Sequence, residues 1–420
     1  MRVQDRTMTL KRLFWSFPVF ILGLVFLSIA GADEGSYTNT IMHPDRETRL
    51  RWIESYERAP LARIDDELKF RVPLRGSLSL LSRLNYTPSE RDQGSCGNCW
   101  AWAGTGVMGI ALDVEEDVFD RLSVQYISSC NTAITCCEGG WLRDFSSFYA
   151  SEGYAIPWSN SNASWQNGDG NCNVLCEDIS AMPDYPITSI TAETILTHGV
   201  GQAQAIANIK NVLSQNRAVW FGFFMGTQED WNSFDAFWNT QAEDALWGFD
   251  ATCGKPYTSA GGGHAVLCVG YNDDDPNNAY WIMLNSWGTT TDRPNGLFRM
   301  DMDVNYDCAD SSGEYNLYWQ TLDVEFSIEK EGLYVEPSAS CGGNTPCYAT
   351  IQEAINTAGS RAIIKVAEGR YYEDLTLNSA KDLTLQGGWD SEFTTRSSST
   401  TIDSLSISSG TVTAEYLVCQ

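Results

Sequence analysis

Apolar residues recur at helical spacing in the charged segment over residues 33–72. Leu50, Trp52, Ile53 and Tyr56 fall on one side of a helix when residues are placed at about 100° intervals. The pattern predicts a short helical segment that precedes the main domain.

The longest mixed region, residues 73–328, changes its hydrophobic period part-way along. Residues 94–113 begin as a glycine-rich turn and continue as an apolar run of helical length, and residues 200–215 form a second helical stretch. From residue 218 onward, turn-forming clusters separate the short apolar runs AVWFGFFM, HAVLCVGY, AYWIMLNSW and GLFRM. We therefore expect an α+β domain with a helical subdomain, a β-barrel-like subdomain and a cleft between them.

Short alternating apolar runs recur in the last part of the chain, residues 329–420. They read IIKV, LTL, LTLQGGW, TTI and LSI, in a background richer in Ser, Thr and Gly. Repeated short strands at comparable intervals predict a small all-β domain, built as stacked coils or as a small sandwich.

Residues 1–32 have the composition of a targeting segment. A basic start precedes an almost wholly apolar run over residues 13–30, and Ala30-Gly31-Ala32 has the A-x-A form of a signal-peptidase site. We expect a cleaved signal peptide, with an uncleaved membrane anchor as the alternative. Both predict an exported protein, secreted or held at the membrane, in which most of the 13 cysteines are bridged.

Length and charge limit the function classes. At about 150 residues per domain, 420 residues suggest two or three domains. The net charge of -27 would repel phosphate backbones, which argues against a nucleic-acid partner.

Two cysteines separated by two residues occur in DQGSCGNCWAW, residues 92–102. A redox pair would need a βαβ setting, and no buried parallel strand precedes residue 92. A zinc site would need further ligands at compatible spacing, whereas the three histidines lie far apart and the other cysteines are expected to be oxidised. A structural bridge and a nucleophilic thiol are the favoured interpretations.

Cys99 has the setting of a nucleophilic thiol. It stands where the glycine-rich turn meets the helical run, and a helix N-terminus and an imidazolium both shift a thiol toward thiolate. Such a thiol needs a histidine as acid and base, and a group that orients the histidine. His264 opens a β-type run after three glycines, whereas His43 precedes the main domain and His198 lies in a polar connector. His264 is therefore the candidate base.

Three blocks resemble the active-site blocks of papain-like cysteine peptidases. They are QGSCGNCWAW (residues 93–102), GGGHAVLCVGY (residues 261–271) and LNSWG (residues 284–288), and their order and separation also match. The resemblance implies a papain-like two-subdomain fold over residues 73–328 and a cysteine endopeptidase that uses no cofactor and no metal.

The resemblance assigns a role to each matching residue. Cys99 would be the nucleophile that forms a thioester acyl-enzyme, and His264 would be its acid and base. Asn285 would orient His264. Trp287 would shield the contact between these two residues from water and would be one of the substrate-binding residues. Gln93 would offer its side-chain amide to the oxyanion, beside the backbone N–H of Cys99.

The resemblance also implies disulfide bonds and a substrate-binding strand. Cys96 would pair with Cys137, the cysteine of a C-x-G-G segment, and Gly139 and Gly140 would pair with an extended peptide, where a side chain would block close approach. The other cysteines are expected to pair as Cys130 with Cys172 or Cys176, Cys136 with the remaining one, Cys253 with Cys308 and Cys341 with Cys347, leaving Cys268 as a buried free thiol and Cys419 unpaired.

Members of this family are usually made as zymogens, so residues 33–72 are expected to form a helical prosegment that lies backwards through the cleft. Asp45, Arg49 and Trp52 partly match the spaced charged and aromatic residues of such prosegments. A plain N-terminal helical extension is the alternative.

The C-terminal region, residues 329–420, resembles the beginning of a right-handed parallel β-helix, with YATIQEAINTA as its capping helix. A small β-sandwich is the alternative fold. We expect this domain to attach the protein to a glycan or cell-surface partner, and we expect a monomer that acts on peptide or protein substrates. The rival functions are an inactive peptide-binding protein of the same fold and a surface adhesin.

Overall fold

A computed structural model describes residues 40–68, 75–328, 332–359, 362–379 and 381–420. The predicted signal peptide and the start of the predicted prosegment lie outside these ranges. Within them, none of the helices combines the length and the apolar character that crossing a membrane requires.

Helix α1 (Arg46–Arg58) forms where the apolar stripe predicts a helix. Asp45 caps its start, because the carboxylate accepts a 2.7 Å hydrogen bond from the backbone N–H of Thr48. Trp52, Ile53 and Tyr56 of the stripe are buried, whereas Leu50 is exposed. The stripe therefore packs against the rest of the protein on its Trp52 side.

The helical part of the main domain is centred on helix α2 (Cys99–Glu116), which packs against the sheet described below. Glycines permit close packing on two sides of this helix: a Cβ added at Gly106 would lie 2.5 Å from the side chain of Leu267 in the sheet, and one at Gly104 would lie 2.7 Å from Phe145 in a neighbouring helix. The other α-helices in the described part of this domain are α3 (Val124–Cys130), α4 (Leu142–Glu152), α5 (Gln202–Ser214) and α6 (Gln228–Thr240).

A nine-stranded sheet forms the β-rich part. Its strands are β1 (Ser77–Ser79), β2 (Tyr154–Ala155), β3 (Tyr185–Thr194), β4 (Val219–Met225), β5 (Leu246–Trp247), β6 (Gly262–Asn272), β7 (Tyr280–Leu284), β8 (Leu297–Asp301) and β9 (Leu317–Phe326). The order is β2-β3-β9-β4-β6-β7-β8-β5, with β1 also paired to β6, and only the β5–β8 pair is parallel. Strand β6 pairs with β4 over residues 262–268, with Phe223 opposite His264, and this pairing fixes the position of His264 near the start of the strand.

The four apolar runs predicted as strands all lie in this sheet, in β4, β6, β7 and β8. The side chains of β4 and β6 are almost entirely buried, and each fully buried aromatic or aliphatic side chain contributes about 1.5–3 kcal/mol relative to exposure. The structure shows the expected mixture of helices and strands, but the division along the chain is not strict, because strand β3 lies in the first half of the domain and helix α6 in the second.

The described residues of the C-terminal region form parallel sheets, one short α-helix and a 3₁₀ turn at Cys341–Gly343. The helix is α7 (Ile351–Thr357), within the predicted YATIQEAINTA segment. The strands are β10 (Gly332–Val335), β11 (Cys347–Tyr348), β12 (Ile363–Ala367), β13 (Gly369–Arg370), β14 (Asp374–Leu377), β15 (Asp382–Trp389), β16 (Thr400–Ile402), β17 (Ser404–Ile407), β18 (Thr411–Glu415) and β19 (Leu417–Cys419).

These strands form three sheets, in the orders β11-β10-β12-β15-β18, β13-β16-β19 and β14-β17. Every strand pair described in them is parallel. Leu333, Ile364 and Leu385 occupy matching positions on three neighbouring strands and are fully buried, which gives this region its own hydrophobic core. All five short runs noted in the sequence lie in these strands.

Candidate active site

Cys99 is the first residue of helix α2 and is fully buried. Backbone groups of Ala265, Trp100 and Cys99 itself lower the pKa of its thiol, against the larger effect of burial. Ala265 follows His264 in the strand Gly262–Asn272, so the thiol lies near the start of this strand, where the candidate base is. The unpaired N–H groups of the first helical turn also point toward this end of the helix, where they favour negative charge.

His264 is oriented by Asn285. The His264 Nε2 and the Asn285 Oδ1 lie 2.7 Å apart, and the ring centroid of Trp287 lies 4.7 Å from that of the imidazole. Among the described residues, no hydrogen-bond partner is present for the buried Nδ1 atom of His264. Since Asn285 occupies one ring nitrogen, Nδ1 is the atom available to exchange a proton with the thiol.

Arg91 and Ser286 fix Asn285 in place. Arg91 Nε donates to the Asn285 carbonyl oxygen at 3.1 Å, and the Ser286 backbone N–H donates to Asn285 Oδ1 at 2.8 Å. A second bond from Arg91, to the carbonyl oxygen of Trp102 at 3.0 Å, connects this loop to helix α2. The candidate histidine is thus tied to the cysteine-bearing helix through a buried arginine.

Gln93 is fully buried, and its side chain has a defined direction. Its Oε1 accepts a 2.7 Å hydrogen bond from the Ser286 hydroxyl, which turns its Nε2 toward the cleft. The Nε2 donates at 2.9 Å to the carbonyl oxygens of Cys96 and Thr40. Sequence reasoning missed the roles of Ser286 and Arg91; Ser286 lies within the LNSWG block, next to Asn285.

The chain's own N-terminal segment, residues 40–43, lies over this site. Met42 and Gly263 exchange two backbone hydrogen bonds of 2.8 Å, and His43 Nδ1 lies 3.3 Å from the carbonyl oxygen of Gly261. The Met42 side chain packs against Gly139, where an added Cβ would lie 3.1 Å from the Met42 Cγ. The segment therefore extends from Gln93 toward Gly139 and passes Gly263, the residue before His264.

Helix α1 anchors this segment to the rest of the protein. Trp52 stacks on Trp141 with ring centroids 5.6 Å apart, and Tyr56 meets Tyr318 edge-on at 5.0 Å. Arg49 forms a buried ion pair with Asp310, with 2.7 Å between Nη1 and Oδ2. Asp45, Arg49 and Trp52, which the sequence marked as prosegment-like, thus contribute one helix cap and two buried anchors.

A family model described as papain family cysteine protease matches residues 82–234 and 238–316. These ranges cover more than half of the 420 residues and include Cys99, His264 and Asn285. The chain belongs to the papain family.

Two curated relatives within the papain family come from Giardia intestinalis. "Cathepsin B-like CP2" is 27% identical over 231 residues, covering 53% of this chain and 66% of that protein. "Cathepsin B-like CP3" is 29% identical over 210 residues, covering 48% of this chain and 60% of that protein. The chain thus matches just under two thirds of the length of these relatives.

A solved structure, "proCathepsin B S9 from Trypanosoma congolense", aligns with 70% of this chain and 88% of its own length. The TM-score is 0.46 and the sequence identity is 16%.

Burial changes the ionisation of the papain-family cysteine and histidine. Desolvation raises the pKa of Cys99 from 9.0 to about 12 and lowers the pKa of His264 from 6.5 to about 4, although the bond with Asn285 opposes the latter shift. Both groups are therefore neutral at neutral pH in this buried state. Formation of a thiolate–imidazolium pair would require that water or a substrate reach them.

Five disulfide bonds are present in the described residues. Cys96 pairs with Cys137, as expected, and Cys130 pairs with Cys176, one of the two partners that the sequence left open for it. The remaining pairs are Cys136–Cys172, Cys253–Cys308 and Cys341–Cys347, and Cys99, Cys268 and Cys419 are free. The sulfurs of Cys96, Cys136 and Cys137 lie within 4.8 Å of one another, but all three belong to disulfides and offer no thiolate to a metal.

The structural reason for a glycine differs between positions 139 and 140. Gly139 has a φ of +95° and faces Met42, which agrees with a strand that a peptide approaches closely. A Cβ at Gly140 would instead lie 2.7 Å from the Trp100 ring. Packing against helix α2 therefore excludes a side chain at Gly140, and pairing of Gly140 with a peptide stays a prediction.

Proposed function

We propose that the protein is a cysteine endopeptidase that hydrolyses peptide bonds through Cys99 and His264. The observation that carries this proposal is the 2.7 Å hydrogen bond between His264 Nε2 and Asn285 Oδ1, which leaves Nδ1 unpartnered among the described residues, while Cys99 begins helix α2. A histidine that served only in packing would not need a hydrogen bond at one ring nitrogen and an unpartnered second ring nitrogen.

The chemistry follows from these positions. His264 Nδ1 takes the thiol proton, and Cys99 Sγ attacks the peptide carbonyl carbon to form a tetrahedral intermediate. Gln93 Nε2 and the backbone N–H of Cys99 donate to the oxyanion. His264 then protonates the departing amine, leaving a thioester, and accepts a proton from the water that hydrolyses it.

Residues 40–43 and helix α1 act, in the same proposal, as a removable inhibitory segment. The Thr40 carbonyl accepts the Gln93 hydrogen bond that an oxyanion would use, and Met42 pairs with Gly263. A substrate whose preceding residues lie along Gly139 would run toward Gln93, whereas residues 40–42 run away from it. This reversed direction explains why the segment occupies the cleft without being a substrate.

The proposal also includes export of the protein to an oxidising compartment. The composition of residues 1–32 supports a signal peptide or an N-terminal anchor, and five disulfides in the described residues support a secreted or extracytoplasmic location. No two histidines are adjacent in the sequence, which disfavours an exopeptidase that caps its cleft with a histidine pair.

For residues 329–420 we propose an accessory domain that begins a right-handed parallel β-helix. The support is the parallel register of its strands and helix α7 before the first long coil. Its proposed partner is a glycan or a cell-surface molecule, bound by a monomer. Deletion of residues 329–420 should abolish attachment to cells or immobilised glycans and leave peptide cleavage; retained attachment would refute this role.

The peptidase proposal is tested by cleavage of a peptide library after limited proteolysis of the full-length protein, under reducing conditions. Cys99→Ala, treated identically, is the matched control. We expect cleavage by the unmutated protein alone. Cleavage by neither protein would favour the alternative, an inactive papain-family protein whose cleft binds peptides.

A further inference from the structure

We propose that Asp310, Tyr257 and Phe224 form a pocket for an arginine side chain of the substrate, which Arg49 fills while the N-terminal segment is in place. The proposal rests on the proposed peptidase function and names a substrate class for it: peptides with a basic residue near the cleaved bond.

The guanidinium of Arg49 is bound on three sides. Nη1 lies 2.7 Å from Asp310 Oδ2, and Cζ lies 4.1 Å from the Tyr257 ring centroid and 4.9 Å from that of Phe224. The side chains of Arg49 and Asp310 are 5% and 2% exposed. A carboxylate combined with two aromatic faces matches a planar, weakly hydrated cation better than any neutral side chain.

The Asp310 carboxylate keeps its position independently of Arg49. Its Oδ1 accepts hydrogen bonds from the backbone N–H of Ser312 at 2.7 Å, the Ser312 hydroxyl at 2.6 Å and the Glu314 N–H at 3.2 Å. Burial raises the pKa of Asp310, but the bonds from Ser312 and Arg49 outweigh it, so the pKa lies below its ordinary value. The carboxylate therefore stays charged, with Oδ2 directed at the guanidinium.

The pocket is continuous with the catalytic cleft. A Cβ added at Gly263, the residue before His264, would lie 2.7 Å from the Phe224 ring and 3.5 Å from Met42 Cε. Phe224 thus borders both the Met42 side chain and Arg49. A cavity of about 580 Å³ next to Arg49, lined in part by Tyr257, Gly261 and Ser312, gives room for a chain leading into the pocket.

Departure of helix α1 leaves this pocket without its cation. Asp310 then lies beside two aromatic rings without a cationic partner. A cation of the substrate that entered the pocket would gain a charge-assisted hydrogen bond with Asp310 and stacking on the rings. Arginine is favoured over lysine, because the planar guanidinium can pair with Asp310 and stack on Tyr257 at the same time.

The test compares fluorogenic peptides that carry arginine, citrulline, lysine or leucine at each position before the cleaved bond, using the full-length protein after activation. Citrulline keeps the shape of arginine and lacks its charge. We expect kcat/KM to be at least about tenfold higher for arginine than for citrulline at one position, as a hydrogen bond between charged groups predicts. This comparison requires no variant and therefore does not depend on folding.

Asp310→Asn should reduce the ratio of kcat/KM for the arginine peptide to kcat/KM for the citrulline peptide to within about threefold. The matched control is Asp303→Asn, which changes the same charge on the exposed surface. Equal rates for arginine and citrulline in the unmutated enzyme would overturn the pocket and leave the peptidase intact. Absence of any Cys99-dependent cleavage would overturn both.

Discussion

The Gln93 Nε2 atom donates a 2.9 Å hydrogen bond to the carbonyl oxygen of Thr40, so the proposed oxyanion donor is engaged by the chain's own N-terminal segment. Cys99 and His264, the proposed catalytic pair, are completely buried. We therefore expect release of the N-terminal segment to free the Gln93 amide.

Weakening the anchor of this segment should release activity. Trp52→Ala removes the stack on Trp141, and truncation of a buried tryptophan costs about 3–5 kcal/mol. We expect unprocessed Trp52→Ala protein to cleave peptides at least about tenfold faster than the unprocessed parent. Leu50→Ala, on the exposed side of the same helix, should remain latent. Equal latency of both variants would show that α1 does not control the cleft.

Gln93 should act on the transition state and not on substrate binding. Gln93→Ala in the activated protein should lower kcat about 10²–10³-fold with little change in KM, as for loss of one oxyanion donor. Ser286→Ala should have a smaller effect, because it removes only the bond that orients the Gln93 amide. Steady-state kinetics distinguish the outcomes, and a change confined to KM would contradict the assigned role.

Asn285 should set the alkaline limit of activity. Its hydrogen bond raises the pKa of His264, so Asn285→Ala should lower that pKa and deplete the imidazolium at a given pH. The alkaline limb of the kcat/KM profile should shift to lower pH, and the acid limb, set by the thiol, should move less. An unchanged profile with a uniformly lower rate would indicate a purely structural role.

Acid should weaken the covered state. The pKa of His264 is about 4 in the buried state and 6.5 in water, so at a pH below 6.5 the imidazole takes up a proton when it becomes exposed. The stability of the covered form therefore falls as the pH decreases from 6.5 toward 4. Labelling of Cys99 in the full-length protein with 2,2′-dipyridyl disulfide, which also reacts with thiols in acid, should accelerate over this range. His264→Ala should lose most of the acceleration. A pH-independent labelling rate in the parent would refute the linkage.

The local sequence blocks predicted much of the candidate site. Cys99 begins the expected helix, and His264 and Asn285 are hydrogen bonded as the three blocks imply. These positions could be predicted because the local conformation of each short block determines where its key residue lies. The same holds for α1, whose apolar stripe directly specifies a buried face.

Long-range pairings could not be predicted in this way. Arg49 and Asp310 are 261 residues apart, and neither has a local pattern that names its partner. Met42 pairs with Gly263 at a single position, which produces no periodicity. Cys130 could be matched with Cys172 or Cys176 because spacing alone does not determine which sulfur lies within bonding distance; the structure selects Cys176.

Mapping of thiol labelling by mass spectrometry tests the proposed nucleophile and its cover most directly. A thiol-directed epoxide inhibitor should modify Cys99 in the activated protein, with Cys96 recovered in a disulfide with Cys137 and with little labelling before activation. Label found on Cys268 or Cys419 in place of Cys99, or a dominant disulfide between Cys96 and Cys99, would contradict the proposed chemistry.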